Sequence, residues 1–279
     1  SACEDGMGGA FVGWTTANDP APSSWLQWVD KYGYVRWSQP LHITGNGVAQ
    51  TQLKLIKSEP GKVILTFLDC IEVGWDTASW GPIFHTYLRA NKIDTTGYLH
   101  WGERGITVTE DTSFTDEIYG FAEDEDNGIY VTWSTVYPPP YIGFEDTTVI
   151  RVQKISKNGE RLWGKTGKYV STWHGYNSPD PYISRRNPDG IFLKYYKQDV
   201  GNTLSSINPD MSVRWSKVNQ WYWNIIPDEN GGGAWARKMV IPFTANYKIV
   251  ANRIDSLGNL LWSDSALIVE NDIGTYSYL

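Results

Sequence analysis

The sequence is short of cysteine, of long apolar runs and of positive charge. Its 279 residues include 2 cysteines and 3 methionines, which leaves too few cysteines for a framework of disulfides. No stretch approaches the roughly 18 consecutive apolar residues of a transmembrane helix, so we expect no transmembrane segment. The 24 Lys and Arg are outnumbered by 31 Asp and Glu, giving a net charge of −7. Because nucleic-acid binding needs a basic face, we expect no nucleic-acid partner.

Motifs of common enzyme and metal chemistry are missing as well. No G-x-S-x-G nucleophile motif, phosphate-binding loop or dinucleotide fingerprint occurs, and we expect no cofactor. The four histidines form no H-x-x-x-H pair and the cysteines form no C-x-x-C pair, so we expect no metal site. The acidic run 123–126 lacks the D-x-D-x-D-G pattern of a calcium loop and is predicted to be a solvated turn.

The chain is rich in aromatic residues and in regularly spaced turns. It contains 15 Trp, 17 Tyr and 8 Phe. One phrase recurs five times: an aliphatic strand end, a polar turn closed by Gly, then an aliphatic residue and a Trp. Met211 replaces the Gly in the fourth copy. A polar residue followed by one that adopts positive φ is typical of a tight hairpin. The five tryptophans of this repeat are Trp37, Trp101, Trp163, Trp215 and Trp262.

A second signature, a turn followed by an alternating strand, lies between these Trp turns. Each repeat therefore predicts four strands of five to nine residues and no helix. Five such units predict an all-β fold, a five-bladed β-propeller forming a single domain. We expect the repeat tryptophans, and also Trp14, Trp133 and Trp235, to pack between blades. Residues 273–279 are predicted to pair beside the N-terminus as the innermost strand of the first blade. The blades then span about 273–279 with 1–45, 46–109, 110–171, 172–218 and 219–272.

The repeat also carries a resemblance to known proteins. The pattern D-G-x-G-G-x-x-V-x-W at 5–14, followed by D-x-x-G-x-x-x-W at 30–37, resembles the propeller repeats of secreted and surface proteins of Bacteroidetes-type bacteria. This resemblance covers essentially the whole chain and implies an extracytoplasmic location, secreted or at the cell surface. Five-bladed propellers include sugar-binding lectins of the tachylectin type and glycoside hydrolases of the arabinanase type. Both functional classes stay open by analogy.

Loop length distinguishes the two rims of the expected propeller. The short Gly turns fall on one rim, and the opposite rim receives long segments, where a rigid scaffold often presents functional residues. These segments are 15–24, 70–82, 134–146, 173–181 and 219–223. Aromatic residues outside the repeat gather there, either to pack the loops or to stack against sugar rings. We predict a non-catalytic, lectin-like carbohydrate-binding or adhesion module whose partner is a glycan or a surface protein. Its ligand-binding residues are predicted to be Trp75, Trp80, Tyr137, Tyr141, Trp173, His174, Trp221 and Trp223.

Two other functions stay open. A glycoside hydrolase needs two carboxylates about 5 to 9 Å apart, and Glu117 with Asp180 is the pair that inner strands of neighbouring blades would supply. A protein-interaction scaffold without a small ligand is the second alternative. Ser1-Ala2-Cys3 matches the end of a lipoprotein signal box if an aliphatic residue precedes it in the precursor, which would place a lipid anchor at Cys3. On the repeat alignment Cys3 and Cys70 fall near opposite rims, too far apart for a disulfide.

Overall fold

The computed structural model describes most of the chain, and the structural statements below concern the residues that it describes. These are residues 1–16, 22–43, 49–76, 80–110, 115–137, 147–174, 181–218, 225–240, 247–262 and 266–271. All regular secondary structure in these ranges is β. The chain divides into two compact units, residues 1–181 and 182–279, which we call unit 1 and unit 2.

Unit 1 contains three antiparallel sheets of four strands each, and the strands of each sheet follow one another in chain order. Sheet 1 consists of β1 (Ala2–Glu4), β2 (Ala10–Thr16), β3 (Ser23–Val29) and β4 (Leu41–Ile43). Sheet 2 consists of β5 (Ala49–Lys57), β6 (Lys62–Asp76), β7 (Gly81–Asp94) and β8 (Ile106–Thr107). Sheet 3 consists of β9 (Thr115–Glu123), β10 (Ile129–Tyr137), β11 (Thr147–Ile155) and β12 (Lys168–His174).

Unit 2 contains two further sheets of the same kind. Sheet 4 consists of β13 (Tyr182–Arg185), β14 (Ile191–Lys197), β15 (Gly201–Ile207) and β16 (Val213–Val218). Sheet 5 consists of β17 (Ile225–Pro227), β18 (Gly233–Val240), β19 (Tyr247–Ile254) and β20 (Ala266–Asn271). Five four-stranded sheets with this order have the topology of propeller blades, and the prediction of an all-β, propeller-like chain is confirmed. Residues 273–279 lie outside the described residues.

A repeated carboxylate shapes the turn between the first two strands of several sheets. In sheet 1 the Asp5 carboxylate accepts hydrogen bonds from the Met7 and Gly9 N–H groups at 2.7 and 2.8 Å. It also accepts one from the Trp28 indole at 2.9 Å. Burial acts to raise the pKa of Asp5, but these hydrogen bonds outweigh it and lower that pKa. The turn is thus built around an ionised, nearly buried carboxylate.

A second repeated device is a buried amide ten residues before the repeat Trp. The side-chain oxygen of Gln153 accepts a hydrogen bond from the Trp163 main-chain N–H at 3.0 Å, and its side-chain nitrogen donates one to the Gly164 carbonyl at 2.7 Å. The same position is occupied by Gln27, Asn91 and Asn252, each bonded to the main chain of its own repeat Trp or the residue next to it. Sheet 4 has Ser205 there instead. The amide ties the segment that leads into the fourth strand to the third strand.

The repeat tryptophans contact the turn of the following sheet within each unit. Trp37 donates its indole N–H to the Thr95 carbonyl at 2.8 Å, and Trp101 donates to the Lys157 carbonyl at 3.3 Å. In unit 2, Trp215 donates to the Ser256 carbonyl at 3.1 Å. These three rings pack between sheets as the repeat predicts.

Two tryptophans predicted to be packed between blades are instead partly open. Trp14 exposes 38% of its surface and Trp262 exposes 41%, whereas Trp133 and Trp235 are buried. Trp133 belongs to the core between sheets 2 and 3. Because sheet 1 is the first sheet of the chain, no earlier sheet of unit 1 covers the face that carries Trp14.

The three sheets of unit 1 share two ends. The Gly61 N–H donates to the Asp5 carbonyl at 2.6 Å, and the Ser58 hydroxyl donates to the Asn127 carbonyl at 2.9 Å. The short turns of sheets 1, 2 and 3 therefore gather at one end, which we call the turn end. The long connections leave from the opposite end, the loop end, where the Gln50 N–H donates to the Pro22 carbonyl at 2.8 Å. Within unit 1 this agrees with the predicted separation of short turns and long segments.

Candidate functional site

The loop end of sheet 2 projects beyond the rest of the sheet as a two-stranded ribbon. The strands β6 and β7 have 15 and 14 residues, longer than the five to nine expected. The last pairing of β6 with β5 joins Cys70 to Ala49, and β8 pairs only with Arg89 and Ala90. Residues 71–76 and 80–86, which we call the ribbon, thus pair only with each other among the described residues. The expectation that 70–82 is a loop was wrong, because β6 and β7 continue pairing to Asp76 and Gly81.

The ribbon exposes large apolar side chains. Trp75 exposes 57% of its surface and Trp80 exposes 81%, and Val73 and Ile83 are also exposed. Trp80 has a φ of +53°, an uncommon backbone conformation for a bulky residue. Exposed apolar side chains grouped in this way mark interaction sites more often than isolated ones do. Both of the ligand-binding residues predicted in this segment therefore lie on an accessible surface.

A buried ion pair anchors the base of the ribbon. The Asp69 carboxylate is fully buried in β6 and accepts a hydrogen bond from the Arg89 Nε at 2.8 Å. Gln50 of β5 donates its side-chain amide to the same carboxylate at 3.3 Å. This polar cluster fixes β5, β6 and β7 to one another at the point where β5 begins. Sequence reasoning missed it, because it assigned no role to Asp69 or Arg89.

The loop end of sheet 3 brings together two of the predicted residues. Tyr137 of β10 pairs with Thr147 of β11, which pairs in turn with His174 of β12. The Thr147 hydroxyl and the His174 Nδ1 are 3.1 Å apart. Tyr137 and His174 therefore occupy one face and one end of the sheet. Trp173 is the neighbour of His174 within β12 and lies on the opposite face, so these two residues cannot both face one ligand.

The remaining predicted residues cannot be placed. Tyr141, Trp221, Trp223 and Asp180 lie outside the described residues. Glu117 pairs with Ser134 in sheet 3, but its side chain is not among those described. The hydrolase pair is thus untested by the structure.

Other reactive groups are dispersed over the described part of the chain. No group of three His, Cys, Asp or Glu side chains there is placed to hold a metal ion. Cys3 and Cys70 are free thiols in different sheets. Burial, followed by the charge of Glu123, raises the pKa of the Cys3 thiol to about 11, which makes it a poor nucleophile.

An aromatic row that sequence reasoning missed crosses sheet 1 near its loop end. Trp14 of β2 pairs with Trp25 of β3, which pairs with His42 of β4. The ring centroids of Trp25 and His42 are 4.6 Å apart. Directly paired residues share a face of a sheet, so three flat side chains follow one another there. The signal in the sequence was Trp25, which lies outside the repeat positions and three residues before Trp28.

A cavity of about 450 Å³ lies elsewhere in unit 1, beside the outer strand of sheet 2. Its lining includes Tyr87, Ile106 and Arg161. The Arg161 guanidinium donates to the Glu110 carboxylate at 2.7 Å, and Lys165 lies 3.2 Å from the same carboxylate. Both cations therefore bind the same carboxylate at the edge of this cavity. We regard the ribbon and the adjacent end of sheet 3 as the better candidate site.

Comparison with known proteins gives distant structural likenesses. No protein-family model matches the chain, and no curated protein matches it. TolB from Acinetobacter baumannii is similar over 96% of this chain, with 11% identity and a TM-score of 0.44, and the chain spans 55% of the TolB chain. A protein of unknown function from Dyadobacter fermentans is similar over 93% of this chain and 91% of its own, with 11% identity and a TM-score of 0.33.

The parainfluenza virus 5 hemagglutinin-neuraminidase is also similar, over 94% of this chain and 72% of its own, with 9% identity and a TM-score of 0.34. In the described part of the protein, no helix is both long and apolar enough to span a membrane. With every TM-score below 0.5, these likenesses carry no argument about function, which has to be inferred from the residues of the site.

Proposed function

We propose that this protein is a non-catalytic, lectin-like carbohydrate-binding module that acts outside the cytoplasm. The glycan binds at the loop end of unit 1, where aromatic side chains stack on its C–H faces. The observation that supports this most is the exposure of Trp75 and Trp80 on a ribbon that projects from the sheet. Tyr137 and His174 share one face at the loop end of the neighbouring sheet and offer further ring surface at this end of unit 1.

The physical basis of this proposal is that the exposure of large apolar rings to water is unfavourable. The exposed part of an indole contributes nothing to the hydrophobic stability of the fold, yet covering about 100 Å² of it with a ligand would contribute about 2.5 kcal/mol at 25 cal/mol per Å². A sugar ring offers a flat apolar face of suitable size, with hydroxyl groups around its edge for hydrogen bonding. The ribbon supplies the indoles on a paired scaffold, which reduces the ordering cost of binding.

The test is a glycan array, with release of reducing sugar measured in parallel. We expect binding without product release, and we expect Trp75→Ala and Trp80→Ala each to weaken it about tenfold. The matched control is Tyr98→Ala, an aromatic residue that exposes 64% of its surface at the turn end of the same sheet. Equal losses in all three variants would contradict a site on the ribbon. Product release that disappears in Glu117→Gln or Asp180→Asn would establish the hydrolase instead.

We also infer that the five sheets form a closed five-bladed propeller in a single domain, completed by residues 273–279. The support comes from sheet 1, whose first strand has three residues where β9 has nine. The described pairing of β1 stops at Ala2 with Val12, and the Ser1 carbonyl accepts one more bond from Gly13. Beyond Gly13, the edge of β2 on the β1 side pairs with no strand among the described residues, so another strand can pair there.

Deleting residues 273–279 tests this closure. We expect a lower unfolding midpoint than in the full chain, and an equally low one when a Gly/Ser sequence of the same length replaces them, since that sequence has low β-propensity. An unchanged midpoint after the deletion would rule out the closure. The lipid anchor at Cys3 is a separate proposal, which fatty-acid labelling of the precursor would test.

A further inference from the structure

The sequence segments that follow or precede strands at the loop end of unit 1 are uneven in their content of charged residues. About one residue in twelve of the whole chain is Lys or Arg, but neither occurs in the four long segments that connect strands at this end, 15–24, 70–82, 134–146 and 173–181. The same segments contain six acidic residues. These are Asp19, Glu72, Asp76, Glu145, Asp146 and Asp180.

The described contacts show the same separation of charge within sheet 2. No Lys or Arg occurs between Lys62 and Arg89, a stretch that includes the whole ribbon. The Arg89 side chain is buried at the base of the ribbon and held by Asp69. Lys62 and Lys92 both bind Glu59, each at 2.9 Å. These lysines lie towards the turn end, about 35 to 45 Å from the ribbon tip at 3.3 Å per strand residue.

On the ribbon itself, the described charged side chain is the exposed Glu72. Glu72 pairs with Phe84 and Trp75 with Pro82, so the bulge at Val73 puts Glu72 and Trp75 on the same face, two pairs apart. A carboxylate accepts hydrogen bonds and cannot donate them. It therefore suits the hydroxyl groups of an uncharged sugar whose C–H face covers an indole. A uronate, sialate or sulfate would face the Glu72 carboxylate, and the described residues of the ribbon include no Lys or Arg. Burying an anion without a cationic or N–H partner is costly.

We infer that the ligand of this end is an uncharged glycan, and that anionic glycans are rejected. This rests on the proposed carbohydrate binding and specifies its ligand class. An uncharged glycan binds by stacking and by hydrogen bonds from its hydroxyl groups. Because salt screens interactions between charges, the affinity should change little with ionic strength.

The test is an array carrying neutral glycans, glycans with uronate, sialate or sulfate groups, and amino-sugar oligomers, read at low and at physiological salt. Binding confined to neutral glycans and unchanged by salt is the expected result. Binding only to anionic glycans would overturn the inference while leaving carbohydrate binding in place. Binding only to amino-sugar oligomers, weakened by salt, would overturn it in favour of a cationic ligand. Binding to no glycan would overturn both this inference and the proposed function.

A pair of charge-reversing variants locates the effect. Glu72→Lys places a cation beside Trp75 and is expected to create binding of anionic glycans at low salt. Glu160→Lys makes the same change on an exposed turn-end residue of sheet 3 and is expected to leave glycan selectivity unchanged. If both variants gain anionic binding equally, net charge decides selectivity and the inference is wrong. If neither gains it, the ribbon is not where the glycan lies and the inference is also wrong.

Discussion

Replacing Gln153 by Met should remove a large part of the stability of sheet 3. The amide is completely buried and makes four contacts: it accepts from the Trp163 and Lys154 N–H groups at 3.0 and 3.2 Å, and donates to the Gly164 and Val108 carbonyls at 2.7 and 3.4 Å. Met has a similar length but cannot replace these bonds. Leaving the Trp163 N–H and the Gly164 carbonyl without their partner costs about 1–3 kcal/mol each. We expect the free energy of unfolding to fall by about 2–5 kcal/mol.

Urea unfolding followed by Trp fluorescence and by circular dichroism measures this loss. The matched control is Asn158→Leu, which removes an exposed amide from the turn of the same hairpin and should change the free energy of unfolding by less than about 0.5 kcal/mol. A loss below about 1 kcal/mol for Gln153→Met would refute the reasoning, since it would mean that the freed main-chain groups find other partners at no cost.

Three further predictions concern ionisable groups. The hydrogen bond from Lys92 lowers the pKa of Glu59 to about 2, although burial opposes this shift. The ionised Glu59 therefore stabilises the fold by at most about 3 kcal/mol. This contribution is present above pH 4.5 and is lost as the pH falls towards 2. Glu59→Gln should flatten the acid limb of stability measured by urea unfolding across this range. Asp69→Ala leaves the buried Arg89 without its carboxylate and should cost about 3–5 kcal/mol, with partial recovery in the double variant Asp69→Ala/Arg89→Met, again by urea unfolding. The Cys3 thiol should react with a disulfide reagent at pH 8 much more slowly in the native protein than in the unfolded chain, and equal rates would contradict its raised pKa.

The repeat made the sheets predictable because its turns leave strong local signals. Gly at positive φ closes the hairpin turns, as Gly33, Gly97, Gly159 and Gly258 do, and a Trp follows at fixed spacing. The same reasoning failed at the ribbon. The segment 70–82 was expected to be a loop, but β6 absorbs a bulge at Val73 and keeps pairing with β7.

Exposure of individual tryptophans was not predictable from position in the repeat. Trp14 and Trp133 occupy equivalent places in sheets 1 and 3, yet only Trp133 has a preceding sheet of its own unit to pack against. The buried amide was visible in the sequence as Gln or Asn ten residues before the repeat Trp. It went unnoticed because Gln and Asn alternate at that position and because polar residues within strands are common on exposed faces.

Sheet 4 departs from the repeat at two positions, the residue that closes the hairpin turn and the buried amide. Met211 adopts a φ of +73° where the other copies have Gly, and Ser205 stands where they have an amide. A side chain at positive φ costs about 1 kcal/mol. The Ser205 hydroxyl bonds to the hydroxyls of Ser216 in β16 at 2.7 Å and of Tyr195 at 3.3 Å, whereas the amides of the other sheets bond to the main chain at the repeat Trp. The outer strand β16 should therefore separate from its sheet more readily than β12 does, so its amide hydrogens will exchange with solvent deuterium ahead of those of β12.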